Sequence, residues 1–292
     1  MFNDIQRWFR DSGAVGRVIL INLFVFLIVN FVGVVFTLAG NPLAATDNVV
    51  VRIFSLPAAL GSLLIKPWSP FTYMFVHEDL WHIGFNMLML YFSGRIMADL
   101  LGGRRFVFSY LGGGLAGALV FVLAYNIFPL FALSGGSTLI GASAGVMGVF
   151  IAAARYFPNF EVYLFGLFKV RLKWIAIFYV ISDFVALKGM SNLGGHFAHL
   201  GGAAFGYLFA NALLRGNDWS VILESITAMF DTRHTPKPRI KVVHKSYDSI
   251  KTTVSAPSLE EEVDRILDKI NHTGYNSLTK EEKDILLKAS KE

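Results

Sequence analysis

Long uncharged apolar runs recur through the first 215 residues of the chain and then stop. The run from Val18 to Leu38 carries no charged side chain, and about 20 apolar residues in a helix are enough to cross a bilayer. This run is too long for the apolar core of a signal peptide, so we expect it to be retained as a span. The pattern predicts an all-α membrane protein, a bundle of six transmembrane helices with a small C-terminal helical hairpin. The predicted spans are residues 17–39, 80–101, 105–128, 138–157, 173–190 and 193–214.

The composition changes after Arg215, and this change sets the expected domain boundaries. The stretch "DWSVILESITAMF" predicts a short amphipathic helix at the inner membrane surface. Residues 232–257, rich in Pro, Thr and Lys, are typical of a linker. The expected segments are a cytoplasmic N-terminal segment at 1–16, a six-span domain at 17–215, an amphipathic segment and linker at 216–257, and a cytoplasmic helical hairpin at 258–292.

The C-terminal segment carries two signals for the start of a helix. Ser258 with Glu261 and Thr279 with Glu282 have the spacing of capping boxes, and Gly274 suits the break between two helices. An apolar stripe follows each helix; the stripes comprise Val263, Ile266, Leu267 and Ile270, and Ile285, Leu286 and Ala289. Because no catalytic constellation lies here, two roles stay open: docking of an unknown cytoplasmic partner, or simple stability and assembly.

The composition as a whole fits a membrane protein. Hydrophobic residues make up 54% of the chain and charged residues 16%, whereas about a quarter of the residues in soluble domains are charged. The net charge of +5 is better explained by cytoplasmic loops than by nucleic-acid binding, because Lys and Arg accumulate in such loops. With the N-terminus inside, eleven basic residues near the spans lie inside and three outside, so both termini are expected in the cytoplasm. The absence of cysteine excludes disulfides and thiolate chemistry.

Polar residues inside apolar spans are costly and are therefore functional candidates. Four of the 7 histidines lie near the spans, His77 and His82 in "HEDLWHIGFN" and His196 and His199 in "GGHFAHLGG". A serine lies among small residues in "LIGASAGVMG". The second, fourth and sixth predicted spans run inward, which brings four polar side chains to a similar depth in the outer part of the bilayer: His82, Asn86, Ser143 and His199.

A serine and a histidine at one depth form a candidate nucleophile and general base. His82 and Asn86, four residues apart, share a helix face and are candidate donors to an oxyanion, together with the backbone N–H of Ser143. Small residues flank the serine and follow the histidine, a spacing that lets membrane helices approach closely; they are Gly141, Gly145, Gly202 and Gly206.

Simpler interpretations compete with catalysis. A serine among glycines commonly serves helix packing in membranes, and a lone membrane histidine is commonly structural. The four histidines could bind a metal, but no HExxH motif is present and the nearby acids Glu78 and Asp79 lie at a loop end. Asp183 in the fifth span could belong to an ion path, but the sequence shows no basic partner for it.

In three pieces the chain resembles the rhomboid intramembrane serine proteases, over about residues 15–215. The pieces are "PWSPFTYMFVHEDLWHIGFNMLMLYFSG", "GASAGVMG" and "HFAHLGGAAFG", in that order. The resemblance implies a rhomboid-like six-helix bundle and a catalytic dyad without an orienting acid, with Ser143 as nucleophile and His199 as base. The other site residues that it implies are His82 and Asn86 with the Ser143 backbone, for the oxyanion, and His77, Gly141 and Gly202, as supports.

The implied activity is that of a serine endopeptidase that cleaves transmembrane segments of other proteins near the outer face, with no cofactor and no metal. The implied partners are transmembrane protein substrates and the lipid bilayer, with no nucleic acid. Since similar tails occur on some bacterial homologues, the expected location is the inner membrane of a bacterium. The alternative is a catalytically inactive rhomboid-like factor for membrane-protein binding or quality control, which the retained Ser143 and His199 disfavour. A metal-dependent transporter is a third hypothesis.

Three positions depart from the family pattern. Ala144 follows the serine where glycine is common, Ser69 stands where many members have arginine, and Met147 replaces an aromatic side chain found in some members. None of these changes removes a catalytic group. The resemblance also implies a substrate entrance between the second and fifth spans, where Phe178 and Phe184 are candidates for gating bulk.

Overall fold

The computed structural model describes residues 13–41, 48–131, 137–164, 166–189, 191–230 and 259–290. The chain separates into two compact units, residues 1–233 and 234–292. Within the described part of the first unit, six long helices run through residues 13–214. They are α1 (Gly13–Leu38), α2 (Leu80–Leu101), α3 (Gly103–Ile127), α4 (Ser143–Tyr156), α5 (Leu172–Ala186) and α6 (Leu193–Leu214).

These helices overlap the predicted spans, so the helical class of the fold is confirmed. The predicted start of the fourth span at residue 138 is wrong, because residues 138–139 form a strand and α4 begins only at Ser143. Three of them, α1, α3 and α6, are long and apolar enough to cross a membrane. Helix α4 is apolar but has only 14 residues. Length and composition therefore support three spans, and the predicted count of six spans is not established by them.

Helix α4 lies at the centre of the bundle, packed chiefly against α6 and α3 and also against α2. Every residue from 144 to 154 is buried. A Cβ atom at Gly202 would lie 2.1 Å from the carbonyl oxygen of Ala144, and one at Gly206 would lie 2.2 Å from that of Gly148. The backbones of α4 and α6 are thus in contact, which is the close approach that the small-residue spacing predicts.

Buried hydroxyl groups join the elements of the bundle. Tyr73 donates to the carbonyl of Gly114 at 2.7 Å, and Tyr110 donates to that of Met74 at 3.1 Å. Ser109 on α3 donates to a carbonyl of α4 at 3.0 Å. Because an unpaired polar group is expensive in an apolar interior, these bonds fix α3 relative to α4 and to the loop before α2.

The loop between α1 and α2 is held by its own side chains. Lys66 donates to the carbonyl of Arg52 at 2.7 Å, and Trp68 donates to that of Ile53 at 3.0 Å. Ser69, fully buried, donates to the carbonyl of Lys66 at 2.7 Å. Residues 48–79 of the loop are therefore held by local hydrogen bonds without the arginine that Ser69 replaces. Its helical turns are Val49–Phe54, Leu60–Ile65, Ser69–Thr72 and the 3-10 turn Tyr73–Phe75, and its strand β1 is Leu56–Pro57.

Strand β1 pairs antiparallel with β2 (Thr138–Leu139), which ends shortly before α4 begins. The second two-stranded sheet is a β-hairpin that joins α4 to α5; its strands are β3 (Glu161–Leu164) and β4 (Phe168–Arg171). We call the end of the bundle that carries this hairpin the basic end, and the end that carries β1 and β2 the site end. Short 3-10 turns are Pro129–Phe131 and Leu187–Gly189.

The amphipathic segment forms α7 (Val221–Phe230) after α6. Asp218 anchors its start, because it lies 2.7 Å from Arg104 and 2.9 Å from Arg105 and accepts a hydrogen bond from the Ser220 hydroxyl. Burial raises the pKa of Asp218, but the hydrogen bonds from Ser220 and the two guanidinium groups outweigh it and hold the pKa at about 2. Arg104 also pairs with Glu224 on α7.

The second unit is a pair of helices, α8 (Leu259–Thr273) and α9 (Lys280–Ala289), joined through the 3-10 turn Tyr275–Ser277. The capping box at Thr279 and Glu282 is confirmed, with both reciprocal hydrogen bonds present. Helix α8 ends just before Gly274, which has a φ of 82°. The capping box predicted at Ser258 lies outside the described residues. One position of the predicted stripe is wrong, because Leu267 is half exposed whereas Ile266 is buried.

Candidate active site

A cavity of about 610 Å³ opens among α2, α4, α5 and α6. Four residues singled out from the sequence line it together: His82, Asn86, Ser143 and His199. They come from three different helices, so the fold brings together the polar side chains that the sequence places at one depth. Around this set, Gly141 lies against the ring of His82, Gly202 against the backbone of Ala144, and His77 against the N–H of Ala142.

Ser143 is the first residue of α4, and the segment before it is fixed from several directions. Gly141 has a φ of 111°, a backbone conformation that favours glycine. Its N–H donates to the carbonyl of Tyr73 at 3.0 Å, and the N–H of Ala142 donates to Nε2 of His77 at 3.2 Å. As the first residue of a helix, Ser143 also has a backbone N–H without an intrahelical acceptor.

Asp183 on α5 joins the two histidines of α6. Its Oδ1 atom lies 2.9 Å from Nδ1 of His199 and 2.7 Å from Nδ1 of His196. A carboxylate only accepts hydrogen bonds, so both rings carry a proton on Nδ1, and a neutral His199 has its lone pair on Nε2. The interpretation of Asp183 as an acid without a basic partner is therefore wrong: it has two imidazole partners.

No hydrogen bond joins the Ser143 hydroxyl to His199 in the part of the chain that the structure describes. In ligand-free enzymes, catalytic hydrogen bonds are commonly long and tighten only when substrate binds. The shared cavity, rather than a formed bond, is what relates the two side chains here.

His82 and Asn86 differ in how free they are to donate. The ring of His82 lies against Gly141, where an added Cβ would be 2.7 Å from Nε2. The amide nitrogen of Asn86 already donates to the carbonyl of His82 at 2.9 Å and lies 3.4 Å from Nε2 of His77. Donation from Asn86 to a bound oxyanion thus requires it to exchange one of these contacts.

The histidines divide into two pairs rather than forming one metal set. His77 packs edge-on against His82, with ring centroids 5.0 Å apart, while His196 and His199 share Asp183. Asp183, His196 and His199 have ligand atoms within 4.8 Å of one another, so they are the described residues that could hold a metal. Their hydrogen bonds also account for the cluster without one.

Two departures from the family pattern have a local explanation. The methyl group of Ala144 lies beside Gly117 of α3, where an added Cβ would be 2.5 Å away, so a glycine on the partner helix makes room for it. Met147 is buried and lines the cavity. The candidates for gating bulk on α5, Phe178 and Phe184, are both exposed on the surface of the unit.

Each of the two units matches a protein family. The model of the rhomboid domain matches residues 65–216, a range that holds α2 to α6 and all the candidate site residues. A family of unknown function (DUF6576) matches residues 257–292, the C-terminal hairpin.

Three curated relatives match the chain over parts of their length. Rhomboid protein 1, mitochondrial, of Saccharomyces cerevisiae is 33% identical over 46% of this chain and 38% of its own length. RHOMBOID-like protein 12, mitochondrial, of Arabidopsis thaliana is 29% identical over 46% of this chain and 42% of its own. Rhomboid-type serine protease 2 of Emericella nidulans is 31% identical over 53% of this chain and 29% of its own. The chain thus spans less than half the length of these relatives.

The relatives correct one expectation. The prediction of a bacterial inner membrane is wrong by this comparison, because two of the relatives are named as mitochondrial proteins and all three come from eukaryotes. The match to the rhomboid domain covers half of the chain and every element around the cavity, and the chain therefore belongs to the rhomboid family.

Proposed function

We propose that the chain is an intramembrane serine endopeptidase in which Ser143 is the nucleophile and His199 the general base. The observation that carries the proposal is the convergence of Ser143, His199 and His82, from three helices, on one cavity. The name of the Emericella nidulans relative, a rhomboid-type serine protease, supports the reaction class. The domain that performs the reaction is residues 17–215, with all six long helices as spans.

In the proposed mechanism, the Ser143 hydroxyl attacks the scissile carbonyl while Nε2 of His199 takes its proton. The same nitrogen returns the proton to the leaving amine, and water then releases the acyl-enzyme. Asp183 accepts the Nδ1–H of His199, which keeps the ring in the tautomer that has its lone pair on Nε2 and favours the imidazolium formed during attack. Asp183 is thus a positioning residue, and it adds an acid to the dyad that the resemblance implies.

Three candidate groups could donate hydrogen bonds to the oxyanion, and they differ in whether they must first give up another hydrogen bond. The backbone N–H of Ser143 lies at the first turn of α4, where the helix dipole favours negative charge. His82 lies against Gly141 beside this turn and supplies a side-chain donor. Asn86 contributes once it gives up its contact with His77.

The proposed substrate is a transmembrane segment that enters between α2 and α5, near the site end. Both helices present exposed aromatic side chains; these are Trp81, Phe85, Phe178 and Phe184. A helical peptide bond has its carbonyl hydrogen-bonded within the helix, so the segment must unwind locally before attack. Segments with small or helix-weakening residues near the membrane face at the site end are the expected substrates.

The test is labelling by a fluorophosphonate probe and cleavage of a transmembrane substrate in liposomes, with wild type, Ser143→Ala and His199→Ala. The matched control is Ser93→Ala, since Ser93 is a buried helical serine that donates to the carbonyl of Met89 at 2.6 Å and lies outside the cavity. We expect labelling and cleavage in wild type and Ser93→Ala, and neither in the other two.

Two results would contradict the proposal that the chain is a serine protease. If folded wild type neither labels nor cleaves any substrate offered, the binding or quality-control factor becomes the better hypothesis. If cleavage persists in Ser143→Ala but disappears with a chelator, the cluster of Asp183, His196 and His199 acts as a metal centre instead. Under the proposal, chelation leaves both labelling and cleavage unchanged.

A further inference from the structure

A second concave surface lies on the first unit, outside the cavity that holds Ser143. It is a groove of about 350 Å³ between α4, α5 and α6. Its walls are aliphatic, with Ile151 from α4 and Ile177 and Ile181 from α5. Ile177 and Ile181 are about half exposed, so the groove offers apolar surface that the described residues of the first unit leave uncovered. In a membrane-embedded helix bundle, such surface faces lipid tails.

The groove is basic at one end. Arg155 is the penultimate residue of α4 and Lys173 is the second residue of α5, so both lie at the basic end, beside the β3–β4 hairpin. From Lys173 to Ile181 the axis of α5 rises about 12 Å. A molecule lying in the groove would therefore meet two positive charges at one end and hydrocarbon along the rest.

Neither of these two charges has an acidic partner among the residues that the structure describes. The lining of the groove contains no carboxylate, and in the described part of the chain neither Arg155 nor Lys173 forms an ion pair. Other basic residues at this end do, as Lys169 lies 3.9 Å from Glu161 and Arg104 pairs with Asp218. Two unpaired cations at the mouth of an apolar groove are complementary to an anionic head with a hydrocarbon tail.

Aromatic rings stand beside both cations. The guanidinium of Arg155 lies 5.6 Å from the ring centre of Tyr207 on α6, and the amine of Lys173 lies 5.4 Å from that of Trp174. Tyrosine and tryptophan favour the level of the lipid headgroups. The aromatic rings thus place the two charges at the depth where a lipid phosphate lies.

We propose that this groove binds one anionic glycerophospholipid, with an acyl chain along Ile151, Ile177 and Ile181 and its phosphate between Arg155 and Lys173. Phosphatidylcholine is a poorer ligand, because it brings a quaternary ammonium group to the same two cations. The site is independent of the chemistry at Ser143, so lipid binding is testable even in a catalytically silent protein.

The bound lipid would act as a bridge between α4 and α5. Helix α5 packs less extensively than α4 against the rest of the bundle, and it carries Asp183 at the site end. A phosphate held by Arg155 on one helix and Lys173 on the other fixes the basic end of α5 relative to α4. The lipid therefore steadies the helix that supplies the acid behind His199.

The experiment is native mass spectrometry of the delipidated full-length protein, titrated with phosphatidylglycerol or phosphatidylcholine of the same chain length. The variants are Lys173→Gln and Arg155→Gln. The matched control is Arg95→Gln, because Arg95 is an exposed cation on α2, paired with Asp99 at 3.4 Å, and lies outside the groove. We expect one tightly held phosphatidylglycerol in wild type, bound about tenfold better than phosphatidylcholine, and about fivefold weaker in Lys173→Gln.

Two results would overturn the lipid site: equal retention of both lipids by wild type, or equal loss in Lys173→Gln and Arg95→Gln, which would indicate diffuse attraction between charges. Arg155 is partly buried, so if Arg155→Gln fails to fold, Lys173→Gln decides the question alone. As a second measurement, phosphatidylglycerol should raise the Tm of Ser143→Ala as much as that of wild type. A rise confined to the wild type would contradict a site independent of catalysis.

Discussion

Helices α4 and α5 both line the cavity, but the bundle holds them in different ways. Residues 144–154 of α4 are all buried, and its backbone touches those of α3 and α6 at glycines. In α5 the buried residues are Leu172, Ala176 and Asp183, and the one polar member of that set is bonded to two histidines. Ser143 is therefore placed by steric packing of backbones, whereas the orientation of His199 depends on one hydrogen-bonded junction at Asp183.

The largest effect is expected on the free energy of unfolding, when a phenylalanine is truncated on α4 or on α5. Phe150 on α4 is 3% exposed and Phe184 on α5 is 68% exposed. Phe150→Ala leaves a cavity in the core and should lower the free energy of unfolding by roughly 3 kcal/mol, while Phe184→Ala should change it by less than about 0.5 kcal/mol. Unfolding in mixed micelles measures both. Equal losses would mean that α5 is held as firmly as α4.

The junction at Asp183 gives the next effect. Asp183→Asn keeps the size of the side chain but removes the carboxylate, so we expect kcat to fall by about a hundredfold or more, with KM nearly constant. Asp99→Asn is the control, since Asp99 is an exposed acid on α2. An unchanged kcat, or a loss fully explained by a lower Tm, would remove Asp183 from the mechanism.

The third largest effect is expected when the close contact between α4 and α6 at Gly202 is disturbed. In Gly202→Ala the new methyl group meets the carbonyl oxygen of Ala144, so the two helices must separate, at a cost of about 2 kcal/mol in the free energy of unfolding. Gly84 is also helical but has nothing within 4 Å of an added Cβ, so Gly84→Ala should be nearly neutral. If Gly202→Ala were as stable as Gly84→Ala, packing would not be what places Ser143.

The smallest effect separates the two histidines that share Asp183. His196→Leu removes the Nδ1–H that donates to Asp183 and should lower stability by about 1 kcal/mol, while kcat falls much less than in Asp183→Asn. Both quantities are measured on the same preparation. A kcat as low as that of Asp183→Asn would show that His196 and His199 act as a unit.

The sequence was sufficient for the long helices and for the prediction that Ser143 and His199 lie near each other, because long apolar runs and basic loops are local signals. It was insufficient where distant segments meet. The fourth span was predicted to begin at residue 138, but α4 begins at Ser143, since residues 138–139 find their hydrogen bonds on β1. The hydrogen bonds of Asp183 are not evident from the sequence, because its partners lie on the next helix, beyond a turn.

The junction at Asp183 depends on the turn between α5 and α6. Asn192, just before α6, has a φ of 49°, which is uncommon for a residue other than glycine. This turn brings residues 13 and 16 positions apart into contact. An acid near the end of one apolar run and two histidines near the start of the next is the local signal that could have revealed the cluster.

The pairing of β1 with β2 makes one cooperative unit of two segments that lie more than 80 residues apart. The strand Leu56–Pro57, the carbonyl of Tyr73 and the ring of His77 all bind residues 138–142, directly before Ser143. Local opening of the loop would then release the start of α4 as well. In hydrogen exchange, the amides of Gly141 and Ala142 should open together with the loop, and a chimera that transplants the loop must carry residues 138–142 with it.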